Sequence, residues 1–317
     1  MHRRTLLAAL PALALATPAR AQSWPTRPVR VIVPFPPGGT TDVVMRLIAQ
    51  KLTETLGQPV VVENRAGAGG TIGSDVAAKS PPDGATFVVA NIASQGVGPS
   101  VYRSMPYDAV RDFTYVAMIA EVPSVLAVNV NSPARTLAEF VALARQRPGI
   151  AVGSPGNGSA SHVKQVLLGR LAGIETTHVP YRGSGPALND LVAGQLDSLI
   201  TTTVEAGRNE RVRMLAVTSA ERLANWPDLP TFAELGYREL VASNWFAIAG
   251  PAGLPAEVAD RMHRETLAAL REPAIADRLA QIGATPRPLS RAELLAFVAA
   301  EVARWGAIVR AAGVRIE

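Results

Sequence analysis

Three features of the 317-residue sequence predict an α/β fold of two lobes joined by a hinge, with a cleft between them. Short β-branched runs alternate with stretches where apolar residues recur at three- and four-residue spacing, the pattern of strands followed by helices. The alternation comes as two successive sets, after which the chain returns through another apolar run to two long helical stretches. Each set contains a glycine-rich connection leading from a strand into a helix. Strands separated by helices imply parallel sheet covered on both faces. The expected division is 1–21 as an export leader, 22–123 with 240–317 as lobe 1, and 124–239 as lobe 2.

The leader has Arg3 and Arg4, an apolar run from Leu6 to Ala16, and Ala19-Arg20-Ala21 as a small-x-small cleavage pattern. The run is shorter than the roughly 20 residues that span a bilayer. Pro11 and Pro18 exclude a continuous core helix. Arg3-Arg4 with Thr5, Leu6 and Leu7 fits a twin-arginine (Tat) signal as well as an ordinary Sec signal, and either places the protein in the periplasm.

In the first set, residues 29–34 (VRVIVP) read as a strand, and Pro36-Pro37-Gly38-Gly39 as a turn. A helix over 42–56 puts Val43, Leu47, Ile48 and Leu52 on one face and stops at Gly57. A strand over 60–63, a loop over 67–70, a helix over 74–79 and a strand over 87–90 complete the set. The second set is expected to begin near Val122-Pro123, with strands over 124–130, 150–153, 177–180 and 213–218. Helices over 137–146, 162–172 and 185–193 separate them. The return passes through 244–248 to helices over 255–271 and 290–311.

Composition excludes several classes. Cleavage after residue 21 removes three arginines and no acid, so the formal charge falls from +5 to +2. With no run of five Lys or Arg, neither nucleic acid nor an anionic membrane is an expected partner. The absence of cysteine excludes disulfides, thiol catalysis and cysteine metal sites. At 48% hydrophobic residues, the mature chain can bury one large core or two medium ones. His2 falls in the leader, and His162, His178 and His263 lack ligand spacing, so no metal and no cofactor is expected. No G-x-x-x-x-G-K-[ST], G-x-G-x-x-G or G-x-S-x-G motif occurs, and no catalytic residue is assigned.

The two glycine-rich connections are the candidate site. One runs from Pro34 to Asp42, with Gly38, Gly39, Thr40 and Thr41; the other from Gly153 to His162, with Gly156, Gly158, Ser159 and Ser161. Glycines admit a close ligand, and free N–H groups at a helix start favour an anion. The first loop also reads as an ordinary strand-to-helix connection with Thr41 or Asp42 as cap. Asp42 is expected to serve the helix end rather than a ligand, since its carboxylate would repel an anion.

Several motifs resemble the Bug proteins, the substrate-binding components of tripartite tricarboxylate transporters. They are Trp24-Pro25-x-x-Pro28, Pro34-Phe35-x-x-Gly38-Gly39-x-x-Asp42, Val61-Val62-Glu63-Asn64-Arg65-x-Gly67-Ala68-Gly69-Gly70 and Pro82-Asp83-Gly84. Farther on come Gly156-x-Gly158-Ser159, Val179-Pro180-Tyr181-Arg182-Gly183, Leu215-Ala216-Val217-Thr218-Ser219 and Pro227-Asp228-x-Pro230-Thr231. The resemblance implies a type II periplasmic-binding fold that captures a small carboxylate and passes it to integral membrane permease subunits, working as a monomer. It implies ligand contacts at Phe35, Gly38, Gly39 and Thr40 from one lobe, and at Gly156, Gly158, Ser159 and Tyr181 from the other. The sequence also departs from the pattern: Gln95 stands where many relatives carry histidine, residues 199–203 replace a common aromatic position, and 204–212 are shortened. Gln95 and Thr202 are expected at the distal end of the ligand, with 201–203 making that end polar and uncharged. The alternatives are a ligand-binding sensor for a membrane receptor and an exported α/β hydrolase.

Overall fold

The computed structural model describes residues 24–313, so the leader predicted over 1–21 lies outside the described residues. The first unit consists of β1 (Val29–Val33), α1 (Thr40–Leu56), β2 (Val60–Asn64), α2 (Thr71–Ala78) and β3 (Thr86–Asn91). A π-turn, Ile92–Val97, and the single-turn α3 (Gly98–Val101) follow. The long β4 (Phe113–Asn129) leads into α4 (Leu137–Gln146), β5 (Ile150–Ser154), α5 (Ala160–Ala172), β6 (Thr176–Pro180) and α6 (Ser184–Val192). Next come β7 (Ser198–Thr202), the short α7 (Thr203–Ala206) and β8 (Val212–Val217). The return is β9 (Ser243–Pro251), α8 (Ala256–Arg271), α9 (Pro273–Gln281), β10 (Thr285–Pro286) and α10 (Arg291–Ala312).

Two sheets share β4. The first has the order β2-β1-β3-β9-β4-β10, with β1 parallel to both neighbours and β9 antiparallel to β3 and β4. The second has the order β8-β4-β7-β5-β6, with β5 parallel to β6 and β7. β3 is buried along its whole length, as expected for an apolar strand covered on both faces. On one face of the first sheet, Met45, Ile48 and Leu52 of α1 and Met262 of α8 pack against Val31, Phe87 and Val89. On the other, Trp305 of α10 joins Val88 and Trp245. Phe140 of α4 and Leu168 of α5 cover one face of the second sheet, while Leu191 of α6 packs on the other.

The strand expected over 124–130 is the end of one 17-residue strand. Pro123 resembles a breaker, but it sits where pairing passes from β9 to β7 and β8, where a missing donor is tolerated. The sequence reading omits α9, which begins at Pro273; proline suits the first turn of a helix, where its missing N–H costs no bond. A second chain crossing lies beside the first. Ser124 N–H donates to Thr218 Oγ1 at 2.8 Å, and Thr218 Oγ1 donates to the Ala242 carbonyl at 2.8 Å. Asn244 Nδ2 reaches the Val122 carbonyl at 2.9 Å and Ser124 Oγ at 3.0 Å.

Candidate functional site

Between the lobes lies a cavity of about 270 Å³, near the lower end of the usual size range for small-molecule sites. Three helices begin on its wall: α1 with residues 38–41, α5 with 159–161 and α6 with 183–186. The first N–H groups of a helix have no intrahelical acceptor, and that end carries partial positive charge. Phe35, Pro36, Ile92 and Phe246 supply apolar wall, and Asn91 and Asn244 supply amides.

The α1 entrance is held from behind. Asp42, buried at 3% exposure, accepts the Gly38 N–H at 3.0 Å, Arg46 Nε at 2.9 Å and Asn64 Nδ2 at 2.9 Å. Burial by itself would raise this carboxyl, but Arg46, the Gly38 amide and Asn64 together hold it below the ordinary aspartate value. Asn64 Nδ2 also donates to the Phe35 carbonyl at 3.0 Å, fixing the loop from β1 to α1. Gly38 takes φ 79°, a conformation natural to glycine.

The α5 entrance is built differently. Gly156 (φ 145°) and Gly158 (φ 71°) turn the chain, and Ser159 caps α5 by accepting the His162 N–H at 3.2 Å. His162 Nδ1 accepts the Gly158 N–H at 3.3 Å, and its ring stacks on His178 with centroids 3.7 Å apart. Burial lowers the His162 pKa, and burial together with His162 brings His178 down to about 4, so the stack is neutral at pH 7. His178 Nε2 lies 2.7 Å from Ser154 Oγ, but Ser154 is fully buried and its hydroxyl also accepts the Gly156 N–H.

Across the cavity, Glu205 joins the lobes. Its Oε1 accepts the Thr40 N–H at 3.1 Å and the Thr40 hydroxyl at 2.9 Å. Its Oε2 accepts the Thr201 hydroxyl, the Thr202 hydroxyl at 3.2 Å and the Thr202 N–H at 3.4 Å. Thr40 Oγ1 and Thr202 Oγ1 lie 2.7 Å apart. Among the described residues lining the cavity, Glu205 is the one ionisable side chain. Among the described residues, no three His, Asp or Glu side chains group as metal ligands.

The profile of the tripartite tricarboxylate transporter family receptors (TctC) matches residues 44–314. The chain belongs to this family. BugT of Bordetella pertussis is 39% identical over 96% of this chain and 94% of its own length. The solved structure of the periplasmic binding protein BugD superposes with a TM-score of 0.88 at 32% identity, covering 93% of this chain and 100% of BugD. Rpa4515 of R. palustris, solved with adipate, gives 0.89 at 37% identity, covering 92% and 99%. The two-lobed periplasmic-binding fold is therefore that of the family. Among the described residues no helix of this TctC receptor is long and apolar enough to cross a membrane.

Of the residues singled out from the sequence, Phe35, Gly38, Gly39, Thr40, Ser159 and Thr202 meet at the cavity wall. Four do not. Gln95 is fully buried behind the wall, where Oε1 accepts the Asn91 N–H at 2.9 Å and Nε2 donates to Ser74 Oγ at 3.4 Å; it braces the turn that presents 91–93. Gly156 and Gly158 shape the turn before α5 without lining the cavity. Tyr181 donates its hydroxyl to Asp190 Oδ2 at 2.7 Å within its own lobe, and burial together with Asp190 raises its pKa to about 12. The distal end expected to be uncharged contains Glu205. The sequence reading missed Glu205 and the α6 entrance, although both carry signals. Thr202-x-x-Glu205 is a capping box, and Gly183-Ser184-Gly185 repeats the glycine-and-hydroxyl pattern of the other two entrances.

Proposed function

We propose that this receptor captures a small carboxylate in the interlobe cavity and delivers it to the membrane subunits of a tripartite tricarboxylate-type permease. The reading is carried by the convergence of three helix starts, from both lobes, on one cavity with no lysine, arginine or histidine among the described residues of its wall. Backbone N–H groups and hydroxyls hold an anion without a buried cation, and ordered water can extend their reach. Adipate in Rpa4515 supports the ligand class.

In this reading the lobes are 22–123 with 240–317 and 124–239, and they swing about the paired crossings at Ser124 and near Ala242, which Thr218 ties together. The α1 entrance belongs to one jaw and the α5 and α6 entrances to the other, so a ligand held by both favours closure. The protein acts in the periplasm as a monomer, exported by its leader, and performs no chemistry on the ligand. The buried Ser154 and the neutral histidine stack disfavour a hydrolase.

Thermal unfolding of the mature protein against mono-, di- and tricarboxylates, amino acids and aromatic acids tests the proposal. A ligand at a hundredfold excess over Kd stabilises the fold by about 2.7 kcal/mol. A shift confined to carboxylates is the expected result. No shift with any of them, in protein freed of co-purified ligand, overturns it.

A further inference from the structure

We infer that Glu205 is a built-in carboxylate that takes the place of a second ligand carboxylate, so that the receptor selects monocarboxylates with an apolar body over dicarboxylates. The inference rests on the carboxylate-binding reading of the cavity and narrows its ligand class.

The first observation is where the Glu205 carboxylate sits. It belongs to α7 of lobe 2, yet Oε1 accepts both the N–H and the hydroxyl of Thr40, the first residue of α1 in lobe 1. It thus occupies the anion-attracting end of a helix from the opposite jaw. The second observation is saturation. With two contacts on Oε1 and three on Oε2, the oxygens use the roughly four lone-pair positions a carboxylate offers. Little acceptor capacity is left for a ligand ammonium group, so a zwitterion gains nothing here.

The third observation is the rest of the wall. Among the described residues no lysine, arginine or histidine lines the cavity to offset a second anionic group, whereas Phe35, Ile92 and Phe246 offer apolar surface. The α5 and α6 entrances remain available to one carboxylate. A diacid would bring a further carboxylate toward Glu205 across a low-dielectric space, where like charges disfavour each other most. The same bridge is an interlobe contact that does not require ligand. The segment after β7 is compact: α7 is one turn long, and its Thr202–Glu205 capping box sets the glutamate beside Thr40.

The test is calorimetric titration of the mature protein with acids matched in carbon skeleton: butanoate and succinate, hexanoate and adipate, benzoate and terephthalate. Wild type is compared with Glu205→Gln and Glu205→Ala, with thermal unfolding as the check on folding. The expected result is that wild type binds the monoacid of its best pair at least tenfold more tightly than the diacid. Glu205→Gln then reduces that ratio at least tenfold. Equal or tighter diacid binding by wild type overturns the inference and leaves the carboxylate reading standing, as does an unchanged ratio in a folded Glu205→Gln protein. If neither variant folds, the wild-type ratio decides. Binding of no acid by wild type overturns the carboxylate reading itself, and the inference with it.

Discussion

Lys164 offers the sharpest test of the physical reading, because a cation is buried where the lobes join. It lies on α5 at 1% exposure, and its Nζ donates to Ser124 Oγ at 2.7 Å, at the crossing of β4 between the two sheets. Asn244 of β9 faces the same hydroxyl, and Glu301 and Arg304 of α10 are the charged groups that act on the amine. Burial, with Arg304 adding and Glu301 opposing, brings the Lys164 pKa from 10.5 down to about 7. The sign follows from proton counts. Between pH 7 and 10.5 the unfolded lysine keeps a proton that the folded one has released, so stability rises with pH in that window and is flat with respect to this group below it.

Integrating the two titrations from pH 7 to pH 9 gives a gain of about 2 kcal/mol, with a limiting slope of about 1.4 kcal/mol per pH unit. Lys164→Met keeps the length and apolar bulk of the side chain but removes the amine. Ser124 Oγ still accepts from Asn244, so no acceptor is orphaned. Urea unfolding of both proteins at pH 7, 8 and 9 should show wild type gaining about 2 kcal/mol more than the variant across the range. Other titrating groups cancel in the difference. Parallel curves would refute the reasoning, showing that Lys164 keeps its proton when buried and that Glu301 compensates its charge.

Two further substitutions address the jaws. Gly39 caps α1 with φ −72° and ψ 166°, which any residue adopts, and a Cβ there would stand 3.9 Å from Glu205 Oε1. Gly39→Val should therefore leave the melting temperature nearly unchanged while weakening the carboxylate-induced shift by crowding the cavity wall beside Glu205, and wild-type affinity would show that the ligand does not reach this wall. Gly183 lies at φ 114° and ψ 170°, and a Cβ there would stand 3.0 Å from Cγ of Pro36 on the opposite jaw. Gly183→Ala should cost about 1–3 kcal/mol from backbone strain. It should also weaken ligand binding and enlarge the radius of gyration in the presence of ligand; an unchanged radius and affinity would show that the jaws need not meet there.

Much of this protein was determined by local sequence. The apolar runs of β1 and β3, the three- and four-residue spacing of α1, α8 and α10, and glycine stops such as Gly57 report backbone preference and burial, which act over a few residues. The α1 and α5 entrances were legible for the same reason, since a glycine-rich turn and a hydroxyl before a helix are local devices. Tertiary structure decided what these devices face. Pro123 looks like an end in sequence, and only the change of pairing partner from β9 to β7 and β8 makes β4 a single strand through both lobes. Gln95 and Tyr181 differ from Phe35 and Thr202 in where their side chains sit: Gln95 braces the turn behind the wall and Tyr181 pairs with Asp190, whereas Phe35 and Thr202 line the cavity. Glu205 shows the limit most directly. Its capping box with Thr202 is written in four consecutive residues, but its contact with Thr40, 165 positions away, exists only because the two lobes bring the ends of β7 and β1 to the same cleft.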